Sequence, residues 1–122
     1  MDARLREGIR LFNERQYFQC HEIWEDFYRD TEDRNKPFLE GLIELAAALR
    51  LFCDFGETRG PVKMARQALI RLENFYPAFL GIRVKDLCEA VEAWAKDIDA
   101  SAVRASPSNL PTIQLQRFGF LS

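Results

Sequence analysis

The segment FLEGLIELAAALRLFCDF, residues 38–55, is apolar on nearly every side when wound as a helix. A helix without a polar face cannot lie on a surface and belongs at the centre of a bundle. Glu40, Glu44, Arg50 and Asp54 interrupt the run, which makes it too polar for a membrane span. The rest of the chain must therefore supply the helices that cover this one.

Apolar spacing at three and four residues predicts those neighbours. A first helix is expected over 2–13, with Leu5, Ile9 and Phe12 on one stripe, and a second over 16–30. Pro37 suits the first turn of the central helix, and Gly56 stops it. Gly60 and Pro61 open a fourth helix over 61–76, which Pro77 ends, and a fifth is expected over 84–100. The connector PAFLGIR between them is apolar enough to be packed down. From residue 101 the composition shifts to Ser, Pro and Asn without helical period. The fold class expected is thus all-α: a compact bundle of about five helices with a central apolar helix and an extended C-terminal tail. Residues 1–101 form the bundle and residues 102–122 the tail, where Ile113 and Leu115 alternate like a strand docked on it and the last few residues are expected to be disordered.

Composition excludes several function classes. A net charge of -2 over 122 residues gives no global attraction to nucleic acid or to an anionic membrane. The opening MDARLREGIR lacks the apolar stretch of a signal peptide. Cys20, Cys53 and Cys88 are an odd set without close pairing, which fits reduced thiols in the cytoplasm. Ten Phe, three Tyr and two Trp provide the volume for a substantial core.

One constellation carries chemistry: the run CHEIWEDFY in the second helix. With His21 at zero on a helical wheel, Tyr28 falls near about -20°, Tyr17 about -40°, Trp24 about -60°, Cys20 about -100° and Phe27 about -120°. Glu25 falls near about +40° and Phe18 near about +60°, whereas Glu22 lies at about +100°, on a polar arc. His21 and Glu25 are accordingly expected on the buried face and Glu22 outside it. On the central helix Glu44 falls among Ala48, Leu51 and Phe55, with Glu40 one turn earlier, so a second buried carboxylate is expected to face the first pair.

Two readings follow. In the first, His21, Glu25, Glu44 and Trp24 form a buried polar network that ties the second and third helices in register. In the second, His21, Glu25 and Glu44, with Glu40 in reserve, bind a divalent metal ion that activates a water. His-Glu-x-x-Glu is similar to the zinc-protease His-Glu-x-x-His helix, in which Glu22 would be the general base. A single His excludes the di-iron bundle arrangement, which needs two. Cys20 next to His21 points about 100° away from it and reads as a small buried hydrophobe, as do Cys53 and Cys88. Arg59, Lys63, Arg66 and Arg71 make a loose basic strip on the fourth helix, read as a solvated face.

FNERQYFQCHEIWEDFYR followed by PFLEGLIELAAALRLF resembles a family of small helical proteins, domain of unknown function 309. Phe12-Asn13, Tyr17-Phe18, His21-Glu22, Trp24-Glu25 and Gly41-Leu42-Ile43 carry the resemblance, with Ala68-Leu69, Leu72, Pro77, Gly81-Ile82, Pro111 and Ile113 further on. It implies an all-α intracellular protein of bacterial or archaeal type, in a family labelled predicted metal-dependent hydrolase. Two positions depart from the pattern: Glu44 stands where Gln is usual, and Arg83 where an acidic residue is usual. Two function classes result, an interaction module pairing with itself or with a protein partner, and a metal-dependent hydrolase using His21, Glu25 and Glu44. The first is the leading expectation, because a fold alone warrants no reaction.

Overall fold

The computed structural model describes residues 1–101 and 109–117. It is all-helical: α1 (Ala3–Asn13), α2 (Tyr17–Asp30), α3 (Lys36–Phe55), α4 (Arg59–Leu72) and α5 (Val84–Ala100), with single 3-10 turns at Asp33–Asn35 and Glu73–Phe75. No described helix is long and apolar enough to cross a membrane.

Each helix begins and ends for a local reason. The Asp2 side chain accepts the Arg4 amide at 2.8 Å and caps α1. Pro37 stands in the first turn of α3, where its missing N–H costs nothing. Gly56, at φ 71°, turns the chain left-handed after Phe55, and the Glu57 amide closes back on the Leu51 carbonyl at 3.2 Å. The fourth helix starts two residues earlier than expected, since the Val62 amide reaches the Thr58 carbonyl at 3.1 Å. It gives way after Leu72 to a tighter turn that ends ahead of Pro77.

The central position of α3 is as expected. Phe38, Leu39, Leu42, Leu45, Ala46, Ala48 and Leu49 are fully buried, with both α2 and α4 packed against the helix. From α5, Trp94 meets Phe52 edge-on at 5.3 Å. Two glycines let helices approach closely. A Cβ on Gly41 would stand 2.8 Å from the Leu72 side chain, so α3 and α4 nearly touch there. A Cβ on Gly8 would lie 1.9 Å from the Trp24 indole, whose Nε1 donates to the Leu5 carbonyl at 3.3 Å. Trp24 thus lies flat on α1, with Phe12 stacked at 6.0 Å.

The connector after α4 is packed down, as its composition predicts. Phe79 and Ile82 exchange both backbone hydrogen bonds (3.0 and 2.9 Å) across Leu80 and Gly81, both at positive φ, while Phe38, Phe75 and Phe79 cluster with ring centroids 4.7–5.1 Å apart. Residues 109–117 run back over the bundle. Leu115 bridges Ile82, the Arg83 amide donates to Gln114 O (2.9 Å) and the Gln116 amide to Gly81 O (2.8 Å). The Asn13 amide group mimics a strand: its Nδ2 donates to Ile113 O (2.9 Å) and its Oδ1 accepts the Ile113 amide (2.7 Å). The expected boundary between bundle and tail at 101/102, and the expectation for the last residues, 118–122, fall outside the described residues.

Gly8→Ala should force Trp24 out of its seat and lower stability by about 1–3 kcal/mol, the usual range for overpacking, in chemical denaturation. Asn13→Ala should raise amide hydrogen exchange at Ile113 by about fivefold, since the bond lost there contributes roughly 1 kcal/mol.

Candidate functional site

α2 and α3 run side by side, and their facing edges leave a strip that α4 only partly covers. Into it project His21, Glu25 and Tyr28 from α2, Glu40, Ile43, Glu44 and Ala47 from α3, and Arg71 from α4, lining an open cleft of about 400 Å³. His21 and Glu25 are one helical turn apart, as are Glu40 and Glu44. Arg71 reaches the cleft because its neighbour Leu72 is pressed against Gly41, and its Nη1 lies 3.8 Å from Glu40 Oε1.

The four residues expected to converge, His21, Glu25, Glu44 and Glu40, do line one site. They do not lie in the core. The His21 and Glu25 side chains are 33% and 37% exposed, and Nε2 stands 4.0 Å from Oε1, too far for a hydrogen bond. The expected buried polar network is therefore corrected to a half-open cleft. The reason is the width of the buried arc. Tyr17, Cys20, Trp24 and Phe27 are the buried residues of α2, a span of about 80° centred near about -80° on the wheel. Phe18 lies beyond Glu25 on the wheel, but at 43% exposed it does not extend that arc. Trp24 stays with the core, bonded to Leu5 and not to His21. Glu44 is likewise half-buried, beside Leu51, which is partly exposed, and Phe55, which is exposed.

Chemically the cleft is acidic and partly wet. Arg71 partners Glu40, whereas Glu44 has no ion pair or hydrogen bond among the described residues and Glu25 has only distant His21. Among the described residues no three His, Cys, Asp or Glu side chains converge in a geometry that could hold a metal ion. Glu22 is exposed and does not line the cleft. Cys20 is wholly buried and burial pushes its thiol far up, so it offers no nucleophile. Cys88 is also raised by burial, while its hydrogen bond with Tyr76 lowers it.

Sequence reasoning left two members of the site unassigned. Tyr28 shares a wheel arc with the buried aromatics of α2, yet it is only half-buried and its ring carries Lys36 Nζ at 5.3 Å. Arg71 was grouped in a basic strip that the structure divides: Arg66 turns to α5, pairing with Glu92 at 2.9 Å and Asp99 at 2.7 Å, and Arg71 turns to α3. No local signal separates these two arginines, because only helix placement decides which carboxylate each can reach.

A core clasp and a surface cleft differ in stability. At a side chain this exposed, His21→Ala should change stability by no more than about 0.5 kcal/mol, a melting shift of roughly 2 °C. A fall several times larger in calorimetry would restore the clasp.

No curated protein matches the chain. His21, Glu25, Glu40 and Glu44 all lie in its N-terminal half, and Arg71 beyond it. Residues 5–64, running from α1 into α4, match the family described as Domain of unknown function (DUF309).

Proposed function

We propose that this chain is an interaction module and that the cleft between α2, α3 and α4 is its recognition site, taking an ammonium or guanidinium group. The observation that carries this reading is the charge imbalance of the cleft. Three carboxylates, Glu25, Glu40 and Glu44, line it against one arginine: Arg71 lies 3.8 Å from Glu40, Glu25 has only His21 at 4.0 Å, and Glu44 has no ion pair among the described residues. A cation about 4 Å from one carboxylate gains roughly 4 kcal/mol at the effective dielectric of a protein surface, before desolvation and ordering costs. An anion entering the same cleft is repelled by a similar amount. Ile43 and Ala47 supply apolar wall for an aliphatic stem, so a lysine- or arginine-like group suits both the charge and the surface.

The same residues support a second reading, a metal-dependent hydrolase using His21, Glu25 and Glu44. What favours it is that all three line one cleft. The cation-binding reading goes ahead of it because it needs no movement of these side chains, no general base and no nucleophile.

Titration of the labelled protein with N-acetyl-arginine amide, followed by amide NMR, tests the choice. Saturable shifts around Glu25, Glu44 and Ala47 are expected, with affinity on the order of millimolar for so small a ligand. N-acetyl-glutamate amide should give none, and Glu25→Gln/Glu44→Gln should weaken the arginine probe at least tenfold. Absence of saturable shifts, or equal binding to the double variant, overturns the proposal. Stoichiometric zinc or manganese in protein purified without chelator, lost in His21→Ala, would favour the hydrolase instead.

A further inference from the structure

Where the cleft ends toward the start of α2, an aromatic surface begins. Phe18 of α2 and Phe55 of α3 are 43% and 60% exposed, among the most exposed large apolar side chains described. Arg50 stands between them, its guanidinium carbon 4.4 Å from the Phe18 ring centroid and 5.3 Å from that of Phe55. Its Nε is buried without a hydrogen bond, as Asp54 Oδ2 lies 3.7 Å away. The arginine thus packs against both rings while Asp54 holds its other side only loosely, and cation–π attraction favours the stacked arrangement at the surface. Two exposed rings packed against one arginine, itself steadied by Asp54, form a pre-ordered apolar platform, which binds at low entropic cost.

The platform adjoins the cleft on both helices. Phe18 lies three residues before His21, and Arg50 three residues after Ala47, so each pair occupies neighbouring turns of one side. From Phe18 to Glu25 is seven residues of α2, about 10 Å, and from Glu44 to Phe55 eleven residues of α3, about 16 Å. A free amine or guanidinium cannot span that distance. An extended peptide, rising about 3.3 Å per residue, spans it in three to five residues.

We infer that the natural occupant is an extended basic segment of a partner protein, with one Lys or Arg in the Glu25–Glu44 cleft and one apolar side chain three to five residues away on the Phe18–Arg50–Phe55 stack. This rests on the cleft accepting a cation. Charge complementarity selects the class of partner: a phosphate backbone or an anionic lipid surface would meet the three carboxylates of the cleft and be repelled. The aromatic stack adds what the cleft lacks, an apolar anchor at a fixed distance.

Fluorescence anisotropy with labelled Gly/Ser peptides tests the arrangement. Each peptide carries one Arg and one Leu separated by one, three, four, five or nine positions, and a control carries Arg alone. Separations of three to five should bind about tenfold more tightly than the control, the increment expected of one apolar side chain docking on a preformed surface. In Phe18→Ala/Phe55→Ala, with folding checked by circular dichroism, the dependence on separation should vanish. Equal affinity at every separation, or an unchanged profile in the aromatic variant, overturns the two-point site while leaving arginine-amide binding to stand or fall by itself. Dimerisation of the wild-type chain that Phe18→Ala/Phe55→Ala abolishes would make a second copy the occupant and overturn the proposal equally.

Discussion

Helix α3 has leucines and phenylalanines on so many sides that water is excluded only if other helices surround it. α2 and α4 pack against it, Trp94 of α5 closes over Phe52, and the Phe38 end is sealed by Phe75 and Phe79 from the connector. Every other element is placed by that demand. The hydrophobic term is non-directional, so it specifies that α3 be covered but not how closely. The close approach comes from Gly41, which lets Leu72 settle against the backbone of α3. Gly8 does the same for Trp24 on α1.

The cleft is what this covering leaves undone. α2 meets its neighbours along the narrow arc of Tyr17, Cys20, Trp24 and Phe27, so the next stripe round the helix, His21 and Glu25, stands at the seam. α3 contributes Glu40 and Glu44 to the same seam because they are its breaks in an otherwise apolar surface. Half-exposure leaves water to solvate Glu44, which has no ion pair or hydrogen bond among the described residues, where full burial would be costly. A charged but incompletely satisfied seam with apolar walls is suited to recognition, and the Phe18–Arg50–Phe55 stack next to it adds a contact of opposite character.

Much of this is legible in the sequence. Period, proline and glycine placement located all five helices, with α4 shifted by a few residues where its ends depend on backbone hydrogen bonds. The grouping of His21, Glu25, Glu44 and Glu40 was also legible, since residues one turn apart on antiparallel neighbours must face one another. Their burial was not. Phe18 reads as a core residue by type, and counting it as one displaced the boundary of the buried face past Glu25. The role of Asn13 was equally hidden, for its partner Ile113 lies one hundred residues away.

The sequence by itself determined the helices, the central place of α3, and which ionisable side chains share a helix face, because these follow from periodicity and solvation within one segment. The tertiary structure alone decided that the His-Glu face is a cleft and not a clasp, that Arg71 joins it while Arg66 leaves for α5, and that Arg50 packs against two exposed phenylalanines. Each of these depends on the distance between surfaces far apart in the chain. That distance is set by how side chains interlock where helices meet, which no single segment encodes.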